Sequence, residues 1–430
     1  MTFESKRRSF GAPSSTRPPL RGPKGDKGNP GGVGPAGADG VLSRGVYHID
    51  DYGAIARAYH DPTTITNGER SANVAAINAC LEEARVVRDD TGVIRKFGGT
   101  VYMGPGVYYT NDAVGYDLAE DVNLGVTVQG LGPFPTMIRS NNNSRETFKL
   151  YTTVGNIRMF YMKDIALYGG RTGLSLIRAT YNRFERIYFG GSDQFALQDY
   201  LGSGNVFDKC YTTDSATTGG GTAGAALFVA CGDVMSNCTF GEGGGGIVVL
   251  GGGLQIDGGY GYGTYFRDTP NYTDYWTTPG SPSNVSLAYF AGEPAAFIGS
   301  NCDFLISNLR FTTAKQFLLS SGCQNIALAN NQLFGGDSTI GPPTLFEGFI
   351  NCMDSFGATA LSISGGQFIW NAGTTGYFIK ETAAVLHDSV IQTQLIDNTT
   401  ATITALSSSA PALLNPGGEN NLVTLRTFAR

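Results

Sequence analysis

The sequence predicts an all-β chain wound as a parallel β-helix, a solenoid of short strands stacked coil upon coil. Three observations carry this: a composition that favours strands and turns, repetition at 22 or 23 residues through the middle of the chain, and one amphipathic helix placed to close an open end. Of 430 residues, 61 are glycine, about twice the usual share, and 15% are charged against about 25% in ordinary domains. Glycine costs roughly 1 kcal/mol at an interior helical position, so a helix-rich fold is disfavoured. Disorder is excluded too, because 25 Phe, 21 Tyr and 2 Trp provide a large core.

Repetition shows when short segments are set side by side. Lys163-Asp164-Ile165-Ala166-Leu167, Glu185-Arg186-Ile187-Tyr188-Phe189 and Asp208-Lys209-Cys210-Tyr211-Thr212 share one pattern, with apolar third positions at 165, 187 and 210. Ser236-Asn237-Cys238-Thr239-Phe240, Ser307-Asn308-Leu309-Arg310-Phe311 and Asn330-Asn331-Gln332-Leu333-Phe334 extend it, and Asn308 to Asn331 reads as another step of 23. Such periods mark solenoids, and short strands between Gly, Asn and Asp turns suit a coil whose inward positions form ladders. Cys210 and Cys238 share one ladder, which accounts for buried cysteine without chemistry. Residues 125–383 form the coiled body, broken near 217–226 and by a long insertion near 255–300.

The body is preceded by three dissimilar stretches. Residues 1–21 hold Lys6, Arg7, Arg8, Arg17 and Arg21 against Glu4, with three prolines and few large apolar groups, so they are a solvated tail or a peptide that orders on docking to a larger assembly. Residues 22–40 place glycine at 22, 25, 28, 31, 34, 37 and 40. That register is what a collagen-like triple helix requires, and it implies a homotrimer; a flexible Gly/Pro linker is the alternative. Residues 41–124 contain a helix around Val74, Ile77, Cys80, Leu81 and Ala84, with Ser71 as its cap, and strands at Thr100–Met103 and Val107–Tyr109. Residues 384–430, with Val385, Val390, Ile391, Leu395, Ile396, Ile403 and Leu406, are placed to close the far end.

Asp51-Tyr52-Gly53-Ala54, then the helix with Ala75-Ala76-Ile77, then Gly98-Gly99-Thr100-Val101-Tyr102 and Pro105-Gly106-Val107-Tyr108, resemble the opening of pectate-lyase-like right-handed β-helix proteins. Together with the glycine triplets, the chain resembles phage tail spike or fibre proteins. Relatives usually carry Gly-Asp-Gly and paired aspartates where this chain has Ile55 to Asn73, so no loop function is carried over there. The resemblance implies a virion tail protein assembled in the host cytoplasm and anchored to other tail proteins through residues 1–21. It also implies host surface polysaccharide as the ligand, with an active depolymerase, a glycoside hydrolase or lyase, as the alternative.

Candidate chemistry follows from the repeats. Asp214 lies four residues after Cys210 and Glu242 four after Cys238, in one phase, so neighbouring coils would bring them near the roughly 5–5.5 Å of retaining glycosidases. Asp208 and Asp233 would raise the pKa of one partner by like-charge repulsion, although acidic residues at turns are also common without catalysis. Tyr260, Tyr262, Tyr265, Phe266, Tyr272, Tyr275 and Trp276 form an aromatic segment suited to sugar faces or to packing between subunits. Of the histidines, His48, His60 and His387, none falls in the repeats, so a serine triad or a histidine metal site is not expected. The run GGGGIVVLGGG at 243–253 lacks a phosphate-loop lysine and reads as tight turns around an inward strand. Seven cysteines without C-x-x-C spacing read as free thiols. No cofactor or metal is implied. A net charge of −6 argues against nucleic acid, and without an apolar run of about 18 residues or a signal peptide no membrane insertion is expected.

Overall fold

A coil passes through three sheets, and one can be followed from Tyr161 to Ile177. Tyr161–Gly169 is a nine-residue strand bent at Asp164, whose φ of 60° divides it into a piece in a first sheet and a piece in a second. Thr172–Ile177 then enters a third sheet, and Arg178, also left-handed with φ 54°, turns the chain into Arg183–Gly190 one rung further on. The computed structural model describes residues 45–58, 65–88, 94–96, 98–193, 195–212, 225–240, 247–262, 297–313, 316–336, 348–353, 360–371, 376–381, 389–397, 403–408 and 422–429. All belong to the unit Leu42–Arg430. The basic arm, the glycine triplets, His60 and His387 lie outside the described residues.

Every rung joins the next in parallel, so the strands stack as a parallel β-helix. In the first sheet Val46–His48 pairs with Thr100–Tyr102, which pairs with Thr127–Gln129, and the series continues through Tyr161–Lys163, Arg183–Glu185 and Val206–Asp208. The third sheet starts with Val114–Leu118 and Phe148–Thr152. At the far end Val390–Asp397 pairs with Ala360–Trp370 and with Leu422–Ala429, and Ile403–Ser408 with Gly376–Glu381, so the described strands of 384–430 add rungs to the coil.

The bend between the first and second sheets selects its residues. Asp164, Arg186, Lys209, Asn237, Asn308 and Asn330 all have φ between 52° and 60°, and Gly258 and Gly365 occupy the same place. That conformation is cheap only for glycine and, among the rest, most accessible to Asn and Asp. It also sets the register: Arg310 pairs with Gln332, so Asn308 matches Asn330 at a step of 22, and the expected step of 23 to Asn331 is off by one. The 243–253 run behaves as expected around its strand, Ile247–Leu250 being buried and Gly251 and Gly252 left-handed. Residues 255–262 belong to the strand Ile247–Tyr262, in register with Phe297–Ser307 and Arg310–Thr313, so they are part of the coil and not of the expected insertion.

Inward side chains form rows along the axis. Phe148, Phe160, Phe184 and Phe207 succeed one another at ring spacings of 5.6, 6.2 and 5.1 Å, the last pair stacked within 12°. Gly261 faces Phe311 on the next rung, and a Cβ there would run into that ring, which explains glycine at a buried strand position. Cys210 and Cys238 do occupy one ladder, and all seven cysteines are buried, none of them in a disulfide. Burial pushes the Cys210 thiol upward, so it packs as an apolar group.

The helix, α1 (Asn67–Ala84), closes the first rungs. Ile77, Cys80, Leu81 and Ala84 join the core with Val101, Val114 and Leu124, while the Tyr116 hydroxyl donates to the Leu81 carbonyl at 2.6 Å. Its cap is Thr66, not Ser71: Thr66 Oγ1 accepts from the Glu69 amide and Glu69 Oε2 accepts from the Thr66 amide, a capping box. Ser71 lies within the helix, and its Oγ accepts from Asn111 Nδ2. No described helix is long and apolar enough to cross a membrane.

Candidate functional site

Outward positions of the second sheet line up as a ribbon parallel to the coil axis. At its start, Val107, Met137 and Ala166 point outward yet are buried, because the entry segment packs Ile65 against them and bridges Arg57 to Val107. Beyond that cover the same column continues as Tyr188, Tyr211, Thr239 and Tyr260. Tyr188 and Tyr211 stack at 5.4 Å and 10°, and Phe134, 65% exposed on its turn, adds a third ring 5.4 Å from Tyr188. Tyr211 and Tyr260 remain 37% and 43% exposed.

Further along, the column becomes polar: Tyr260 is followed by Arg310, Gln332, Gln367, Gln394 and Arg426. Gln332 Nε2 donates to Gln367 Oε1 at 3.4 Å, and Gln367 Nε2 to Gln394 Oε1 at 3.5 Å, while the Arg310 guanidinium lies 5.3 Å from the Phe334 ring centre. Rings with polar tips followed by a run of amides and guanidinium groups are what sugar recognition uses: flat apolar faces for the ring and directional donors for hydroxyls.

Of the residues expected to bind glycan, Tyr260 lies in this column and is exposed, and Tyr262 lies on the same strand two positions further. Tyr265, Phe266, Tyr272, Tyr275 and Trp276 lie outside the described residues. So do Asp214 and Glu242, as well as Lys6, Arg7, Arg8, Arg17 and Arg21. The strands leading toward the two carboxyl residues, Tyr211-Thr212 and Thr239-Phe240, are in register. Tyr188, Tyr211 and Phe134 join the column although none is among the residues expected to bind glycan. The signal for the first two was present, since both occupy the fourth position of the repeat segments.

Asp208 and Asp233, expected to act on the Asp214 and Glu242 carboxyls, which lie outside the described residues, have other partners here. Asp208 lies on the outside of the first sheet, where Arg183 Nη2 reaches its carboxylate at 3.3 Å and Glu185 at 3.4 Å. Glu185 also accepts from Tyr161 and Arg186, and Arg186 is held by Asp164 at 2.6 and 2.8 Å. These groups form an ion-pair ladder along the first sheet. Asp233 is inside the coil, at the end of a buried amide ladder. The Phe160 amide donates to Asn182 Oδ1, the Asn182 amide to Asn205 Oδ1 and the Asn205 amide to Asp233 Oδ1, each at 2.9–3.0 Å.

Beside Asp233 stands Asp199, 0% exposed, whose Oδ2 accepts from Asn205 Nδ2 at 2.7 Å. Asp199 Oδ1 and Asp233 Oδ2 have no donor from the surrounding protein. Burial, and next the neighbouring Asp233 charge, push the Asp199 carboxyl well above the usual carboxylate range, and burial raises Asp233 as well. One proton between the facing oxygens supplies the missing donor and removes one of two adjacent buried charges. Among the described residues, Asp199, Cys231 and Asp233 are the group with metal-type donor atoms close together, within 4.8 Å of one another. Cys231 Sγ, however, donates to the Asp199 carbonyl at 3.2 Å, so a metal would require loss of that thiol proton, whereas a shared proton leaves every donor in place.

No family model matches the chain, and no curated protein matches it. Solved structures do. The DFA-IIIase of Arthrobacter chlorophenolicus A6, in complex with GF2, is 13% identical over 88% of this chain and 93% of its own, with a TM-score of 0.52. This likeness shows a shared fold, the right-handed parallel β-helix. The A-module of the Azotobacter vinelandii mannuronan C-5 epimerase AlgE6 is 14% identical over 89% of this chain and 99% of its own, at a TM-score of 0.48. ORF18 of Geobacillus virus E2 is 12% identical over 83% of this chain, at a TM-score of 0.39, and this chain spans 61% of its length.

Proposed function

We propose that the chain is a virion tail spike or fibre that attaches to host surface polysaccharide through the outer face of the second sheet. In this reading three copies stand together on a collagen-like stalk at residues 22–40, and the basic arm 1–21 grips another tail protein. The observation that carries the attachment role is the ribbon of exposed rings at Phe134, Tyr211 and Tyr260, with half-buried Tyr188 in ring contact with Phe134 and Tyr211 where the entry segment ends. Exposed aromatic rings set in register along the coil present sugar-sized faces to solvent. The sequence resemblance to tail spikes supplies the setting.

The test is adsorption of the purified chain to host cells and to their extracted surface polysaccharide, with Tyr211→Ala and Tyr188→Ala compared with the parent. Binding that falls at least tenfold in both variants, with unchanged melting temperature, supports the reading. Full binding by the double variant contradicts it.

A further inference from the structure

We infer that the polysaccharide is linear and acidic, and that its carboxylates are read by the polar half of the ribbon, with Arg310 and Arg426 at its ends. The inference rests on the attachment role proposed above and adds the chemical class of the ligand.

Charge is sorted by face in this coil. The outward column of the first sheet contains Lys163, Glu185, Asp208 and Asp257, and its arginines are held by carboxylates. On the second sheet, the column from Tyr188 to Arg426 has no Asp or Glu among its described residues, although the chain contains 36 acidic residues. The neighbouring outward column on that sheet, running through Thr312, Phe334, Ile369 and Ile396, has none either. Two outward columns whose described residues include no carboxylate, on an acidic protein and with exposed arginines, are complementary to an anion.

The spacing defines the shape of that anion. Rungs repeat at about 4.8 Å, so Arg310 to Arg426 is a straight run of roughly 19 Å with one polar side chain per rung. A single sugar would engage one or two of these positions, whereas an extended polymer engages them all. The glutamines are joined to each other in one direction, which fixes their amides, and each donating –NH2 keeps a second N–H for a ligand hydroxyl. Arg310, braced against Phe334, offers a planar fork that matches a carboxylate.

The experiment uses the full chain and calorimetric titration with linear polyuronate oligomers, alongside the same oligomers with carboxyls reduced to alcohols. The expected result is at least tenfold tighter binding of the native oligomers. Arg310→Gln and Arg426→Gln should each weaken native binding roughly tenfold, leaving binding of the reduced form unchanged, while Tyr211→Ala weakens both. Equal affinity for the two forms, with the Tyr211 effect intact, overturns the acidic class and leaves the attachment role standing. Undiminished native binding by the double arginine variant also overturns it. Polyglutamate bound as tightly as the oligomers would show that charge alone is recognised and defeat the glycan assignment. If neither oligomer nor host polysaccharide binds, the attachment role falls with it.

Discussion

Replacing Asp199 by Asn makes the sharpest test of the interior. In the native coil Asp199 and Asp233 hold a proton that the unfolded chain releases once pH exceeds about 4, the ordinary carboxyl value. A folded-state pKa raised above the unfolded one gives stability that is complete below pH 4 and is lost as pH climbs toward the raised value. While one extra proton is held, the unfolding constant grows tenfold, about 1.4 kcal/mol, per pH unit. For a chain of this length that is a fall of roughly 1.5 °C in thermal midpoint for each such unit. The Asp199→Asn amide keeps the shape, accepts from Asn205 Nδ2, and presents a permanent N–H to Asp233 Oδ2. Its melting temperature should therefore lose this component of the decline as pH rises above about 4. Glu69, Asp121 and Asp257, whose carboxyls are held below the usual range by hydrogen bonds, change stability with the opposite sign and at lower pH, so the difference between the two proteins isolates the pair. Identical slopes for parent and variant would refute the shared proton.

Other expectations concern the coil and its cap. Phe207→Ala, at the centre of the stacked row, should cost about 3–5 kcal/mol, read as a lowered denaturation midpoint. Gly261→Val should destabilise by roughly 1–3 kcal/mol through collision with Phe311, and Phe311→Ala in the same chain should recover part of that loss. Thr66→Ala should remove the capping box and cost about 1 kcal/mol. Release of reducing ends or unsaturated products from host polysaccharide would assign depolymerase activity, and its survival in Glu242→Gln would remove Glu242 from the catalytic role.

Much of the coil was legible because its bends repeat chemically. Left-handed positions accept few residue types, so Asp164, Asn237, Asn308 and Asn330 leave a mark in the sequence, and the residue after each, Ile165, Cys238, Leu309 or Asn331, is buried. The slip at Asn331 shows the limit of that mark. Asn330 and Asn331 are adjacent and identical, yet one makes the bend and the other donates from Nδ2 to the Ile306 carbonyl in the core, a distinction only strand pairing makes. Outward residues are harder to read, because Tyr, Thr, Arg and Gln are all acceptable there and no single type recurs. Tyr188 and Tyr211 lie 23 residues apart in the chain and become stacked partners only once the register is known. The Asp199–Asp233 pair was invisible for another reason: the two residues come from different sheets of successive coils, and closure of the coil brings them together.

A cryo-EM map of the full chain with bound host-polysaccharide oligomer tests the central claim most directly. The account predicts an elongated ligand lying along the second sheet, with a sugar ring against Tyr211 and the chain running toward Arg310. Saturating binding with the ligand on the first or third sheet, and the Tyr188–Tyr211 face bare, would contradict it.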